Sequence, residues 1–167
     1  MPMRLETRLS DRRRWSAGDD CSAAKVLNLL STKTVFLVVR ECFYGTTRFE
    51  DFVERVGASA PAISRALKQL ETGGVLHRVP YREAGDRRRE EYRLSDAGEE
   101  LLPIFLALMS WGDDHLQDGQ PPLTFVHAET GQPVRICVTG DEPAETTSDE
   151  IEIRASRRHD PRGRRTS

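Results

Sequence analysis

Residues 47–95 read TRFEDFVERVGASAPAISRALKQLETGGVLHRVPYREAGDRRREEYRLS. Phe49, Phe52, Val53 and Val56 recur at three- and four-residue spacing, the period of one helix face, with Thr47 placed to cap and Gly57 to stop. A turn through Gly57–Ala60 leads into a second helix, with Ser59 or Ala60 at its start and Pro61 in its first turn, where a missing N–H costs little. Ile63, Leu67 and Leu70 form its apolar stripe, and Ala62, Ser64, Arg65, Lys68 and Gln69 are left facing out. Gly73 and Gly74 end it. Val75 and Val79, then Tyr92 and Leu94, predict two short strands bracketing the loop REAGDRRRE. Helix, tight turn, helix and an arginine-tipped hairpin form the order that lays a recognition helix in a DNA major groove with a wing beside it.

Charge distribution points the same way. The 167-residue chain has a formal net charge of −2, so its global charge does not announce a polyanion partner. Between Ala60 and Ser95, however, Arg65, Lys68, Arg78, Arg82, Arg87, Arg88, Arg89 and Arg93 stand against five acids. Between Asp113 and Ile153 ten acids face the single base Arg135. Local charge sets phosphate attraction, so the helix-turn-helix segment is the basic end of the molecule.

Working outward, Ser22 is expected to cap a first helix through Leu30, with Ala24, Leu27 and Leu30 on one side. A second helix over about Lys33–Phe43 carries Val35, Phe36, Val38, Val39, Cys42 and Phe43, an apolar set wide enough for a central core helix, and Gly45 follows it. Beyond the wing, Ser95 is expected to cap one long helix, bent at Pro103, with Leu101, Ile104, Phe105, Leu108, Trp111 and Leu116 as its stripe. That stripe exceeds what the compact unit can cover, which predicts a homodimer through Leu27, Leu101, Ile104, Phe105, Leu108 and Trp111. LTFVHAETGQPVRICV predicts a hairpin turning around Glu129–Gln132, with Val134, Ile136 and Val138 alternating, and Ile151 and Ile153 alternate once more.

The organisation expected is a flexible arm over residues 1–20, a winged-helix and dimerisation unit over 21–117, a small β extension over 118–154 and a disordered basic tail over 155–167. The fold class is α+β, mainly α: a winged helix-turn-helix with a long C-terminal dimerisation helix and a β-rich extension. Only 37% of residues are hydrophobic and 31% are charged, a shortfall that fits polar tails. The first residues lack a signal-peptide core and the longest apolar run, Val35–Val39, is too short to span a bilayer, so no membrane partner and a cytoplasmic, nucleoid-associated location are expected. Cys21, Cys42 and Cys137 form no CxxC pair and read as reduced thiols. His77, His115 and His127 lack metal spacing. Neither a nucleophile–base pair nor a phosphate loop can be placed. The expectation is therefore no cofactor, no metal and no catalysis.

Residues 21 to about 116 resemble the HxlR-type winged-helix transcriptional regulators of bacteria. The resemblance rests on an ordered series: Cys21 before the first helix, Lys33 opening a helix that ends in Val39-Arg40-Glu41, then RFEDF, ISRALKQLETGGVLHR, EYRLSDAGEELLP and WGDDH. The chain departs from the pattern at Thr34, where the family often has tryptophan, at Pro61, one position later than usual, and in the extra cluster Arg87–Arg89. HAETGQPVRICVTGDEP is similar to a cysteine-ribbon segment of some members, with Cys137 its sole cysteine and no zinc implied. The resemblance implies sequence-specific control of promoters by a homodimer on double-stranded DNA, with a small-molecule or redox effector left unidentified. The candidate DNA contacts are Ser59, Ser64, Arg65, Lys68, Arg82, Arg87, Arg88 and Arg89, and Cys21 stands where some members place a redox sensor. The alternative is a winged-helix protein-interaction module that has lost specific DNA binding and docks through its acidic C-terminal region.

Overall fold

The structure is a computed structural model and describes residues 6–7, 11, 18–81, 89–117, 120–138 and 146–155. Four helices come first: α1 (Ser22–Leu29), α2 (Lys33–Phe43), α3 (Phe49–Val56) and α4 (Ala60–Thr72). The hairpin β1 (Leu76–Tyr81) and β2 (Arg89–Leu94) follows, then α5 (Asp96–Glu99), α6 (Leu102–Leu116) and the strands β3 (Leu123–His127) and β4 (Ile151–Ala155). The described residues are thus mainly helical, with two separate two-stranded antiparallel sheets.

Helix α2 is the axis. Thr32 caps it by accepting the Val35 N–H at 3.2 Å, and Val35, Val38 and Val39 on its inner face are buried. Phe52 of α3, Ile63, Ala66, Leu67 and Leu70 of α4, and Val75 and Leu76 entering β1 close around that face. Each fully buried Leu or Ile side chain contributes about 1.5–3 kcal/mol, so the four-residue stripe of α4 fixes that helix firmly. Gly57 takes φ +67°, the left-handed conformation that lets the chain stop α3 and turn sharply into α4. One buried carboxylate belongs to this core. Glu41 accepts from Arg40 Nη2 at 2.6 Å and from the Thr46 hydroxyl at 3.2 Å, while its carbonyl accepts the Thr46 N–H at 2.9 Å. The turn from α2 toward α3 is therefore hydrogen-bonded on both side chain and backbone.

A second cluster gathers on Phe105 of α6. Phe43 stacks on it at 5.4 Å, Tyr44 meets it edge-on at 6.0 Å, and Phe125 of β3 meets it edge-on at 5.9 Å. Val134 and Ile151 join from the C-terminal extension. The extension is thereby packed onto α6.

Several local expectations are corrected. The predicted single helix after Ser95 is two. Ser95 does cap α5, accepting the Gly98 N–H at 3.1 Å, but that helix stops at Glu99 and α6 restarts at Leu102. Pro103 is not an interior kink; it stands in the first turn of α6, where its missing N–H costs little. The expected hairpin partner of β3 is also different. A turn does form: the Gly131 N–H reaches the His127 carbonyl at 2.8 Å, and Val134 N–H returns to Phe125 O at 3.0 Å. Residues 135–138 then leave β3, with Ile136 and Val138 exposed, and β4 pairs with β3 from Leu123↔Ala155 to His127↔Ile151. Two shorter shifts concern capping: Cys21 rather than Ser22 precedes α1, and Arg48 rather than Thr47 precedes α3.

Candidate nucleic-acid interface

Helix α4 presents one face outward while its opposite stripe is buried. Ser64, Arg65, Lys68 and Thr72 are exposed on it and, with Gln69, line a shallow hollow of about 450 Å³. The spacing explains the segregation: positions 63, 66, 67 and 70 share the core side, so 64, 65, 68 and 72 must share the other. Ser59 sits exposed at the α4 N-terminus, where unsatisfied N–H groups favour anions.

Gln69 is not a free reader. Its side-chain amide donates to Leu29 O at 2.6 Å, Asn28 O at 3.3 Å and Ser31 Oγ at 3.1 Å. It therefore closes the carbonyl end of α1 and pins α4 to the α1–α2 turn.

The wing is tied to the same helix. Arg78 of β1 reaches Glu71 on α4 at 3.0 Å and Glu90 on β2 at 3.0 Å, and its guanidinium lies 5.5 Å from the Tyr92 ring centroid. Arg93 pairs with Glu91 at 2.6 Å, and the Thr47 hydroxyl donates to the same carboxylate at 3.1 Å. That Arg93 hydrogen bond, with help from Thr47, holds the Glu91 carboxyl below the usual carboxylate range. Tyr92 N–H also donates to Thr47 O at 2.8 Å, and Arg48 lies 5.0 Å from the Tyr81 ring, so the hairpin is fastened to the start of α3. Arg78 and Arg93, two cations of the basic segment, thus fasten the wing. Lys68 also approaches Glu71, at 3.9 Å, but stays exposed.

Arg89 opens β2, exposed and in register with Tyr81. Arg82, Arg87 and Arg88 lie outside the described residues, as do Arg12–Arg14 of the arm and the basic tail.

Sequence reasoning missed Gln69, Glu71 and Arg78 as a set. Their partners lie 7 to 41 residues away, and no local period signals such pairings.

Of the expected dimer residues, Leu27, Ile104, Leu108 and Trp111 are exposed at 69%, 40%, 52% and 57%, and Leu116 joins them. Phe105 and Leu101 are corrected: Phe105 is 2% exposed, enclosed by the chain's own aromatic rings, and Leu101 packs against the main core.

Cys21 is half-buried at the start of α1, and the nearby Lys25 ammonium lies 3.5 Å from Asp20. Cys42 is enclosed beside the core, where burial, and then the Glu41 charge, push its thiol up to about 12. Cys137 is exposed. Among the described residues no group of three His, Cys, Asp or Glu could hold a metal ion. No single helix there is long and apolar enough to cross a membrane. The bent pair α1–α2 passes by length and composition only, and α2 spends its apolar face on the core.

A buried-stripe helix with a cationic outer face, entered by a tight glycine turn and braced by a hairpin, defines a winged helix-turn-helix, the class of DNA-binding transcriptional regulators. Comparison with known proteins narrows the class. Residues 29–120 match the model of the HxlR-like helix-turn-helix family, and the chain belongs to that family. It is 35% identical over 112 residues to an uncharacterized HTH-type transcriptional regulator of Mycobacterium tuberculosis, covering 66% of this chain and 70% of that one. A second such regulator, from Synechocystis, is 34% identical over 104 residues, covering 62% and 76%. Among solved structures, PA1607, named as a transcription factor, superposes with a TM-score of 0.65 at 30% identity, covering 74% of this chain and 85% of that one. The oxidized form of the redox regulator HypR superposes with a TM-score of 0.51 at 25% identity, covering 57% and 97%.

Proposed function

We propose that this regulator acts at promoter DNA as a homodimer, reading sequence with the exposed face of α4 and gripping phosphates with the wing. The observation that carries the reading is the segregated α4 face, on which Ser64, Arg65 and Lys68 project beside a wing braced by Arg78. Arginine is the commonest specific reader of guanine, and hairpin-tip cations mostly meet backbone. Ser59 at the α4 N-terminus and Arg82, Arg87, Arg88 and Arg89 of the wing are assigned to phosphate contact. Residues 21–117 serve as the DNA-binding and dimerisation unit, 118–154 as its extension, and the protein works in the cytoplasm on the nucleoid. Two-fold symmetry then sets two half-sites about one helical turn, ~34 Å, or a multiple of it apart.

The dimer is supported by the exposed apolar set Leu27, Ile104, Leu108 and Trp111, which spans the first and last helices of that unit. Cys21 is proposed as a redox-responsive position, supported by its place at the N-terminus of α1 and by the likeness to HypR.

Genome-wide mapping of bound DNA, followed by binding isotherms on the recovered operator and on scrambled DNA across several salt concentrations, tests the reading. Tight, strongly salt-dependent and sequence-selective binding is expected. Weak binding, blind to sequence, would overturn it in favour of an interaction module.

A further inference from the structure

A cavity of about 990 Å³ lies away from the α4 face, between the start of α6 and the C-terminal extension. Leu102 and Leu106 of α6 form its apolar floor, and Val134, Ile136 and Ile151 of the extension face them. Its size matches sites that enclose a small organic molecule, roughly 300–1,000 Å³. Among the described residues, α3, α4, β1 and β2 contribute nothing to its lining, so the winged-helix reading leaves it without a role.

Its charge selects the occupant. Among the described lining residues, Glu99, Glu100 and Asp149 are acidic, against the single guanidinium of Arg135 and the imidazole of His127. Glu99 already acts as a hydrogen-bond acceptor there, taking the Ser148 hydroxyl at 2.6 Å and so joining the extension to the end of α5. A cationic head can take that hydroxyl's place on Glu99 while an apolar body covers Leu102 and Leu106. Between low-dielectric walls, a net negative lining attracts cations and repels carboxylates and phosphates more strongly than an open surface does. The surrounding sequence adds to the field, since Asp113–Ile153 is the acidic part of the chain.

We propose that this cavity is a binding site for an amphipathic organic monocation, its charged head at Glu99 and Glu100 and its apolar body over Leu102 and Leu106. The proposal does not depend on the DNA-binding reading, because occupancy is measured without DNA.

Tetraphenylphosphonium and tetraphenylborate have nearly the same shape and opposite charge, so they isolate the electrostatic part. Isothermal titration of the full chain is expected to show one tetraphenylphosphonium site per chain. Tetraphenylborate is expected to bind at least about tenfold more weakly, a difference of about 1.4 kcal/mol. Glu99→Gln combined with Glu100→Gln should narrow that discrimination several-fold. Ile136→Trp, on an exposed wall where the fold tolerates bulk, should block the cavity and abolish binding while circular dichroism stays unchanged. Absence of binding, equal affinity for the two ions, or full affinity in Ile136→Trp would each overturn the proposal.

Discussion

Arg65 and Arg88 separate two jobs that a basic patch alone would merge. Arg65 is exposed on the α4 face beside Ser64 and one turn before Lys68, the placement from which the proposed reading assigns it to base edges. Arg65→Ala is expected to cost about 1–3 kcal/mol on the operator and much less on scrambled DNA. Arg88→Ala should weaken both alike and lower the salt slope by about one unit for each phosphate that Arg88 neutralises. Isotherms on both DNAs across salt concentrations check this, and equal losses for Arg65→Ala would remove α4 as the reader. The thiols divide in a similar way. Cys42 keeps its proton at neutral pH because burial pushes its pKa to about 12, so it is a poor nucleophile there. The corresponding stability term is fully present below the ordinary thiol value near 9 and is lost as pH rises toward 12. An oxidant-driven loss of operator binding should therefore vanish in Cys21→Ser and persist in Cys42→Ser and Cys137→Ser; equal responses in Cys21→Ser and the parent protein would clear Cys21 of any role.

At the level of elements, the aim of α4 is set by neighbours rather than by its own face. Gln69 spends its amide on the carbonyl end of α1, so Gln69→Ala should lower stability by about 1 kcal/mol for each net hydrogen bond removed, without shifting sequence preference. Thermal unfolding and operator selection from a randomised DNA pool check both halves, and a changed preference would make Gln69 a reader after all. These elements also show what the sequence discloses. The helices α2, α3 and α4 and the wing were legible because their apolar residues recur at the helical or strand period and glycines mark their ends. The break before α6 was not, because Pro103 fits equally well as an interior kink or a first-turn residue until packing of Leu101 and Phe105 decides. The β3–β4 pairing was illegible for another reason. Val134, Ile136 and Val138 alternate as well as Ile151 and Ile153, and both segments place a residue against the α6 cluster, so alternation alone does not reveal that the longer ladder on β3 belongs to β4. Likewise Arg65 could be named from one helix face, whereas the Glu71–Arg78–Glu90 bracket joins three elements and leaves no local pattern.

For the whole molecule, the exposed apolar set Leu27, Ile104, Leu108 and Trp111 is the feature that bears on assembly. A homodimer is expected by light scattering at micromolar concentration, and Leu108→Asp should shift the mass to that of a monomer, because a lone carboxylate would be buried in the interface. A monomeric parent protein would end the two-half-site description of its operator. The junction of α4 with α5 carries a wider consequence. The Ser95 hydroxyl donates to Gly74 O at 2.5 Å and accepts from Gly98 N–H. Gly98 lies so close to the Val75 carbonyl that a methyl group in its place would collide with that oxygen. Position and orientation of α4 are thus held from behind, by Gly98, Ser95 and Gln69, while Ser64, Arg65 and Thr72 face solvent on the other side. If the proposed reading holds, vocabulary and grammar are written by different residues: the front face could be rewritten to spell a new operator while the seating of the helix stays as it is.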